Sequence, residues 1–425
     1  MHTPYLSRFV AWTARVFNID TQYLLQGTFW SSLAQIVITL SALSLSIILS
    51  RHLPKEVYGQ YKYVLSLISL LSMFSLSSVG TAVLQSTSRG YEGALQEGFR
   101  SNLRWSLPMV LGALGLGSYY LLQGNVALGV SVLIGGTFAP FISSASIASS
   151  FLIAKKDFEG LAFYGSILST FIPASALMLT ALLTKNFIIL VAVYFFFTAG
   201  SYLFTYFYAL KKHHPDPTNV DAGMMSYAKH LSVIGVLGGL AANIDQVLLY
   251  HFVGPIELAL YNFAIGIPDQ SKGPLKNIDS MLQARFANHL PANIRTNMRT
   301  KALLLLAFGA ICASAYILCA PYIYLLLFPA YIEAVPYSQV YALTFLTFPF
   351  IPSLSYLSAK RLIKEQYINN FVSSTLRITF IAIGVIYAGL WGLVWAILAA
   401  RLSNGIVGYI LYRIASARES AGAIQ

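Results

Sequence analysis

Residues 367–413 read YINNFVSSTLRITFIAIGVIYAGLWGLVWAILAARLSNGIVGYILYR, and no charged residue interrupts 378–400. A bilayer core about 30 Å thick needs about 20 apolar residues in an α-helix. This stretch therefore holds two consecutive crossings, 367–388 and 390–413, with Arg377 and Arg401 close to mid-depth. Worked outward, the same test places spans near 24–49, 58–85, 103–122, 126–153, 161–183 and 187–210. After a break come 227–252, 258–283, 302–328 and 334–358. The fold class expected is all-α: twelve transmembrane helices in two six-helix lobes.

Composition agrees. Of 425 residues, 57% are hydrophobic and 10% charged, and the mean hydropathy is +0.67. Soluble domains carry about a quarter charged residues, and disordered chains are never this apolar. The net charge of +12 falls mostly in short loops, so topology explains it better than nucleic acid does. Lys and Arg are sparse in the odd-numbered gaps (Arg51, Lys55, Lys62, Lys185). They crowd the N-terminus, the even gaps and the tail, as in Lys155, Lys156, Lys211, Lys212, Lys360, Arg361 and Lys364. By the positive-inside rule both termini are expected to be cytoplasmic.

The expected organisation is an interfacial amphipathic segment over 1–23, an N-terminal lobe over 24–210 and a solvated cytoplasmic linker over 211–226. A C-terminal lobe over 227–413 and a cytoplasmic tail over 414–425 complete it. Leu6, Phe9, Val10, Val16 and Phe17 recur at helical spacing in the first segment, which has no clean signal-peptide core. Six spans per lobe give both lobes one orientation, hence a pseudo-twofold axis along the membrane normal. The adjacent His213 and His214 lack further ligands in sequence, so no metal site is expected. Cys312 and Cys319, about 10 Å apart on one helix, are too far apart to bridge and read as buried packing residues. Most of the 27 Tyr are expected in membrane-interface belts.

Ionisable groups in a bilayer are costly and usually face a cavity or one another. Asp245, near Asn243, is the only acid deep in span 7: a coupling site for a cation or proton, or a carboxylate that pairs with a basic neighbour. Arg377 and Arg401 suit bidentate phosphate binding, against neutralisation by Asp245 or Asp269, or snorkelling. In span 8, Asp269, Lys272, Lys276 and Asp279 are spaced 3, 4 and 3 on one helical stripe, extended by Asn262. Pro268 and Gly273-Pro274 should kink that helix. The stripe either lines a cavity or forms a solvated face beyond the membrane. No catalytic constellation and no phosphate-binding Gly-rich loop with Lys is present, so no enzyme activity and no cofactor is expected.

Residues 49–71, LSRHLPKEVYGQYKYVLSLISLL, and 244–264, IDQVLLYHFVGPIELALYNFA, echo each other in Gly59/Tyr61 and Ala259/Tyr261. They resemble the two characteristic loops of the multidrug/oligosaccharidyl-lipid/polysaccharide exporter superfamily, in particular its Wzx-type polysaccharide flippase branch. In that branch a Leu-Gly-Pro-Glu-like turn leading to Gly-x-Tyr follows the first span. An Asp-Arg-like pair precedes a similar turn after the seventh. Here Gln246 stands where the branch often has a basic residue, and no Gly separates Leu53 from Pro54.

The resemblance implies a flippase of the bacterial inner membrane. It would move undecaprenyl-pyrophosphate-linked oligosaccharide (an O-antigen, capsule or exopolysaccharide repeat) from the inner to the outer leaflet by alternating access. Arg377, Arg401, Lys272, Lys276 and Asp269 are the candidate substrate contacts, and Asp245 and Asn243 the candidate site for H+ or Na+ coupling. The expected partners are the polyprenyl-pyrophosphate glycan, membrane lipids and polysaccharide polymerase or assembly proteins. Two rivals stand beside this reading. A drug or cation antiporter of the same superfamily would favour acids in the first lobe. An integral-membrane polymerase or ligase would need a large outer loop.

Overall fold

In a computed structural model of the chain, residues 21–271, 291–360 and 362–422 are described, and every regular element among them is helical. The spans are α1 (Phe29–His52), α2 (Lys55–Phe74 bent into Val79–Ser88), α3 (Ala94–Leu122), α4 (Val126–Ala154), α5 (Phe158–Leu183) and α6 (Phe187–His213). There follow α7 (Met224–Val233 bent into Gly235–Phe252), α8 (Pro255–Ser271), α9 (Ala302–Leu327) and α10 (Pro329–Ala359). The last stretch, Ile363–Arg418, would be about 84 Å long if straight, far more than a bilayer. It breaks at Ala388–Gly389, where Gly389 takes φ +55°, a conformation open to glycine at no steric cost. The limbs before and after are α11 and α12. They fold back so closely that a Cβ on Gly384 or Gly392 would strike the other's carbonyl.

Among the described residues, eight helices are long and apolar enough to cross a bilayer, or ten if each bent pair is one span and Ile363–Arg418 counts once; α8, described only as far as Ser271, is not among them. That helix includes Pro268. Local sequence sets the other ends. Asn125 caps α4 by accepting from Leu128 N at 3.1 Å, and Asn186 caps α6 by accepting from Ile188 N at 3.0 Å, each satisfying an orphan donor of the first turn. Lys211, Lys212 and His213 close α6, where the helix dipole favours cations.

The chain forms two compact units. Unit 1 comprises residues 1–49 and 71–235, and unit 2 comprises 50–70 and 236–425. Two contiguous lobes, 24–210 and 227–413, were the expectation. The start of α2 instead belongs with the C-terminal helices, and the start of α7 with the N-terminal ones, each changing unit near the bend in its helix.

In unit 1, Val83, Leu95, Phe151, Leu152 and Ala209 are fully buried in one core. The segment expected to be a solvated linker is tied onto this unit. Gly93 N donates to Asn219 O at 3.0 Å, Asn219 Nδ2 to Gly90 O at 2.9 Å, and Ser86 Oγ to Asp221 Oδ2 at 3.0 Å. At the C-terminus the helix continues to Gly422, so most of the expected tail extends α12. Residues 1–20, most of the expected interfacial segment, lie outside the described residues.

Unit 2 is built around tyrosines. Tyr261, Tyr324, Tyr331, Tyr341 and Tyr356 head the fully buried large side chains, so part of the tyrosine content fills the core. Phenols can fill a core provided the hydroxyl finds a partner; Tyr324 Oη, for one, donates to Phe263 O at 2.8 Å. The outside is apolar: on α9, Ile311, Leu318, Leu325 and Leu326 are all exposed, as a lipid-facing helix requires. Cys319 is likewise exposed and Cys312 half-buried, so neither is the fully buried packing residue expected.

Candidate functional site

The α7–α8 hairpin positions the first polar group. Val253 N and Gly254 N both donate to Leu249 O, ending α7, and Gly254 turns the chain at φ +134°. Pro255 then opens α8, where its missing N–H costs nothing. Asp245 lies two turns before this corner and Tyr261 about two turns after it, so they face each other. Tyr261 Oη donates to Asp245 Oδ2 at 2.5 Å, and Gln246 N donates to Oδ1 at 2.9 Å. Arg377 of α11 stands 3.8 Å from Oδ2, and its buried Nε has no hydrogen-bond partner among the described residues. Asp245 is 4% exposed.

A second group repeats the chemistry farther along α8, with α10 and α12 in place of α7 and α11. Tyr341 Oη, on α10, donates to Asp269 Oδ2 of α8 at 2.7 Å and accepts from Arg401 Nη2 of α12 at 2.6 Å. Arg401 reaches Asp269 Oδ1 at 3.2 Å, and its guanidinium carbon lies 5.2 Å from the centre of the Tyr341 ring. The Arg401 and Asp269 side chains are 36% and 41% exposed, unlike Asp245. The two arginines are equally exposed, Arg377 at 35% and Arg401 at 36%, so the groups differ in the acid: Asp245 is buried and Asp269 is open.

All four anchors of these groups (Asp245, Asp269, Arg377 and Arg401) came from charge at membrane depth. Each arginine is matched to an acid, Arg377 to Asp245 and Arg401 to Asp269. Tyr341, which joins Asp269 to Arg401, was missed, and Tyr261 was noted only as part of a motif, because a tyrosine in a chain with 27 of them carries no signal until its neighbours are known. Asn243 does not touch Asp245; its amide turns back to Gly239 O at 3.5 Å, and Asn262 likewise to Leu258 O at 2.9 Å. Lys272, Lys276 and Asp279 lie outside the described residues. Lys62, counted with the loop charges, belongs instead to α2, two turns inside it.

The two motif loops also meet. Gly59 sits so close to Pro255 that a Cβ there would overlap its backbone carbonyl. Around that point Tyr58 packs on Phe263 at 4.9 Å, and Tyr63 stacks on Tyr250 at 3.7 Å. Glycine at 59 is what lets α2 lie against the start of α8, the helix that carries both Tyr261 and Asp269.

Unit 1 has its own polar group at the α4–α5 turn. Asp157 accepts from Gly160 N at 3.0 Å, capping α5, and also meets Lys212 Nζ at 2.9 Å and His213 Nε2 at 3.0 Å. Burial pushes its carboxyl up. The Lys212 hydrogen bond, the Gly160 N–H and His213 outweigh that and hold it below its ordinary value. A depressed carboxyl stabilises the fold above the unfolded pKa, about 3.9, and that contribution disappears as pH falls through the folded value. Thermal unfolding in detergent should therefore separate wild type from Asp157→Asn at neutral pH. The gap should close below about pH 4; a gap independent of pH would refute the assignment. His214 ends α6 in a left-handed conformation, φ +42°, so the two histidines diverge.

A family model described as polysaccharide biosynthesis protein matches residues 24–267. No curated protein matches the chain. Among solved structures, the chain is similar to an inward-facing multidrug resistance MATE family transporter of the MOP superfamily. The TM-score is 0.67 at 15% identity, over 90% of this chain and 96% of the other. A MOP superfamily transporter from Pyrococcus furiosus, described as having a binding pocket of reverse polarity, gives 0.57 at 13% identity over 94% and 96%. An outward-facing multidrug resistance MATE family transporter gives 0.56 at 13% identity over 93% and 96%. At such identities the likeness is one of fold: an all-α, multi-pass membrane architecture.

Proposed function

The chain belongs to the polysaccharide biosynthesis protein family, and from that premise we propose that it is a flippase for polyprenyl-pyrophosphate-linked oligosaccharide. On this reading it works in the bacterial inner membrane with both termini cytoplasmic, and moves its substrate from the inner to the outer leaflet. The observation that carries the reading is Arg401. It is an arginine held open inside an apolar helical unit, braced by Tyr341 and countered by Asp269. A guanidinium stays charged and offers paired N–H groups that match phosphate oxygens. The Asp269 carboxylate keeps the site neutral when empty, and an incoming diphosphate takes its place. The glycan travels with the diphosphate, while the polyprenyl tail stays in hydrocarbon. An inside-negative potential favours outward movement of anionic charge by about 2.3 kcal/mol per charge per 100 mV.

Resetting the carrier falls to the buried acid, Asp245. H+ or Na+ arriving at Asp245 weakens its hold on Arg377, linking ion entry to a change of charge on α11. With Asp245→Asn, export should persist weakly and become insensitive to an uncoupler or to Na+ removal. Intact export with unchanged ion dependence would remove Asp245 from the coupling role.

Deleting the chain tests the reading in cells. Lipid-linked glycan should accumulate on the inner leaflet, out of reach of a lectin applied to spheroplasts. Accumulation on the outer leaflet would favour a polymerase or ligase. Altered drug sensitivity with normal glycan would favour antiport of a small cation.

A further inference from the structure

Lys55, Tyr58 and Lys62 are spaced three and four residues apart on α2 and share one helical face. The two cations are treated differently. Lys55 pairs with Glu333 at 2.8 Å and lies 5.7 Å from the centre of the Tyr331 ring. Lys62 Nζ lies 5.6 Å from the centre of the Tyr58 ring, and no carboxylate among the described residues stands within ion-pair distance of it. Tyr58 is itself buried against Phe263 and Tyr331. In unit 2, then, Arg377, Arg401 and Lys55 each have an acid, whereas Lys62, partly buried, has an aromatic face.

A ring quadrupole attracts a cation but does not neutralise it, and an ammonium inside a membrane helix is costly unless something compensates it. We propose that the Lys62 ammonium is a binding residue for the phosphate of a polyprenyl-linked anion, an inference that rests on the transport reading above. Its place on α2 favours a transported headgroup over a resident phospholipid. It lies about 10 Å farther along the helix than Lys55, on the inner side of an ion pair already satisfied. The ring of Tyr58 holds the ammonium in position while it is empty, and the phosphate supplies the missing charge when bound.

The test uses the full chain in nanodiscs of neutral phosphatidylcholine, with geranylgeranyl diphosphate as probe and geranylgeraniol as its uncharged counterpart. Wild type and Lys62→Arg should bind the diphosphate comparably, and Lys62→Gln should bind it about tenfold more weakly, about 1.4 kcal/mol. The alcohol should not distinguish the three. Should Lys62→Gln fail to fold, Lys62→Met, which keeps an apolar stem, takes its place, thermal unfolding serving as the check. Wild-type affinity in the neutral variant overturns the role of Lys62 and leaves the transport reading standing. No diphosphate binding by any form overturns both. Phosphatidylglycerol binding with the same Lys62 dependence, and blocking the diphosphate, would assign the site to a resident lipid headgroup and overturn the proposal.

Discussion

Glutamine in place of Arg401 is expected to lower glycan export at least tenfold, with the protein still present in the membrane at its normal level. Hydrogen bonds to a charged group contribute about 1.5–3 kcal/mol, and a tenfold loss corresponds to about 1.4 kcal/mol, so one lost guanidinium–phosphate contact suffices. Stability should change little, because Arg401 and Asp269 are both more than one-third exposed and such pairs are screened by solvent. The double change Arg401→Gln with Asp269→Asn separates two roles. It removes the carboxylate that the single change leaves without its arginine. Restored export in the double variant would mean that Arg401 only neutralises Asp269. Continued loss would mean that it meets the substrate, which is the expected result. Lysine at 401 should recover part of the export, since it keeps the charge without the paired donors.

The second large effect is on assembly. Leucine at position 59 has no room, because even a Cβ there overlaps the Pro255 carbonyl, and backbone cannot step aside as a flexible side chain can. Overpacking commonly costs 1–3 kcal/mol, occasionally more; the upper end of that range, about 3 kcal/mol, is expected. Gly59→Leu should reach the membrane poorly and unfold at a lower temperature in detergent. Gly115 and Gly200 lie in helices with open space where a Cβ would go, and alanine at either should be neutral or slightly stabilising. Equal loss in all three variants would show a general intolerance of helical glycines and would contradict the specific role of the Gly59 contact.

These two predictions draw on different parts of the sequence record. The spans were legible because a bilayer imposes a length and an apolar character on each helix separately, and 378–400 shows both without reference to any other segment. Arg377, Arg401, Asp245 and Asp269 were legible for a related reason: charge at membrane depth is rare enough to be noticed. Their pairing was hidden. Asp269 and Arg401 lie 132 residues apart in sequence, and their bridge, Tyr341, is one phenol among many. Sharing of α2 and α7 between the two units was equally hidden, since nothing apolar or charged marks the place where a helix leaves one neighbour for another. Gly59 was visible as part of a motif, but why glycine is needed there became clear only when Pro255 was found against it.

Transport of the lipid-linked headgroup is the claim on which the functional reading depends, and reconstitution addresses it without the cell. Purified protein in proteoliposomes, with a polyprenyl-diphosphate oligosaccharide initially confined to the inner leaflet, should expose that sugar to an external lectin faster than protein-free vesicles do. Arg401→Gln should slow the rate toward the protein-free value. Exposure at the same rate with and without protein, in a preparation shown to be folded, would contradict the account.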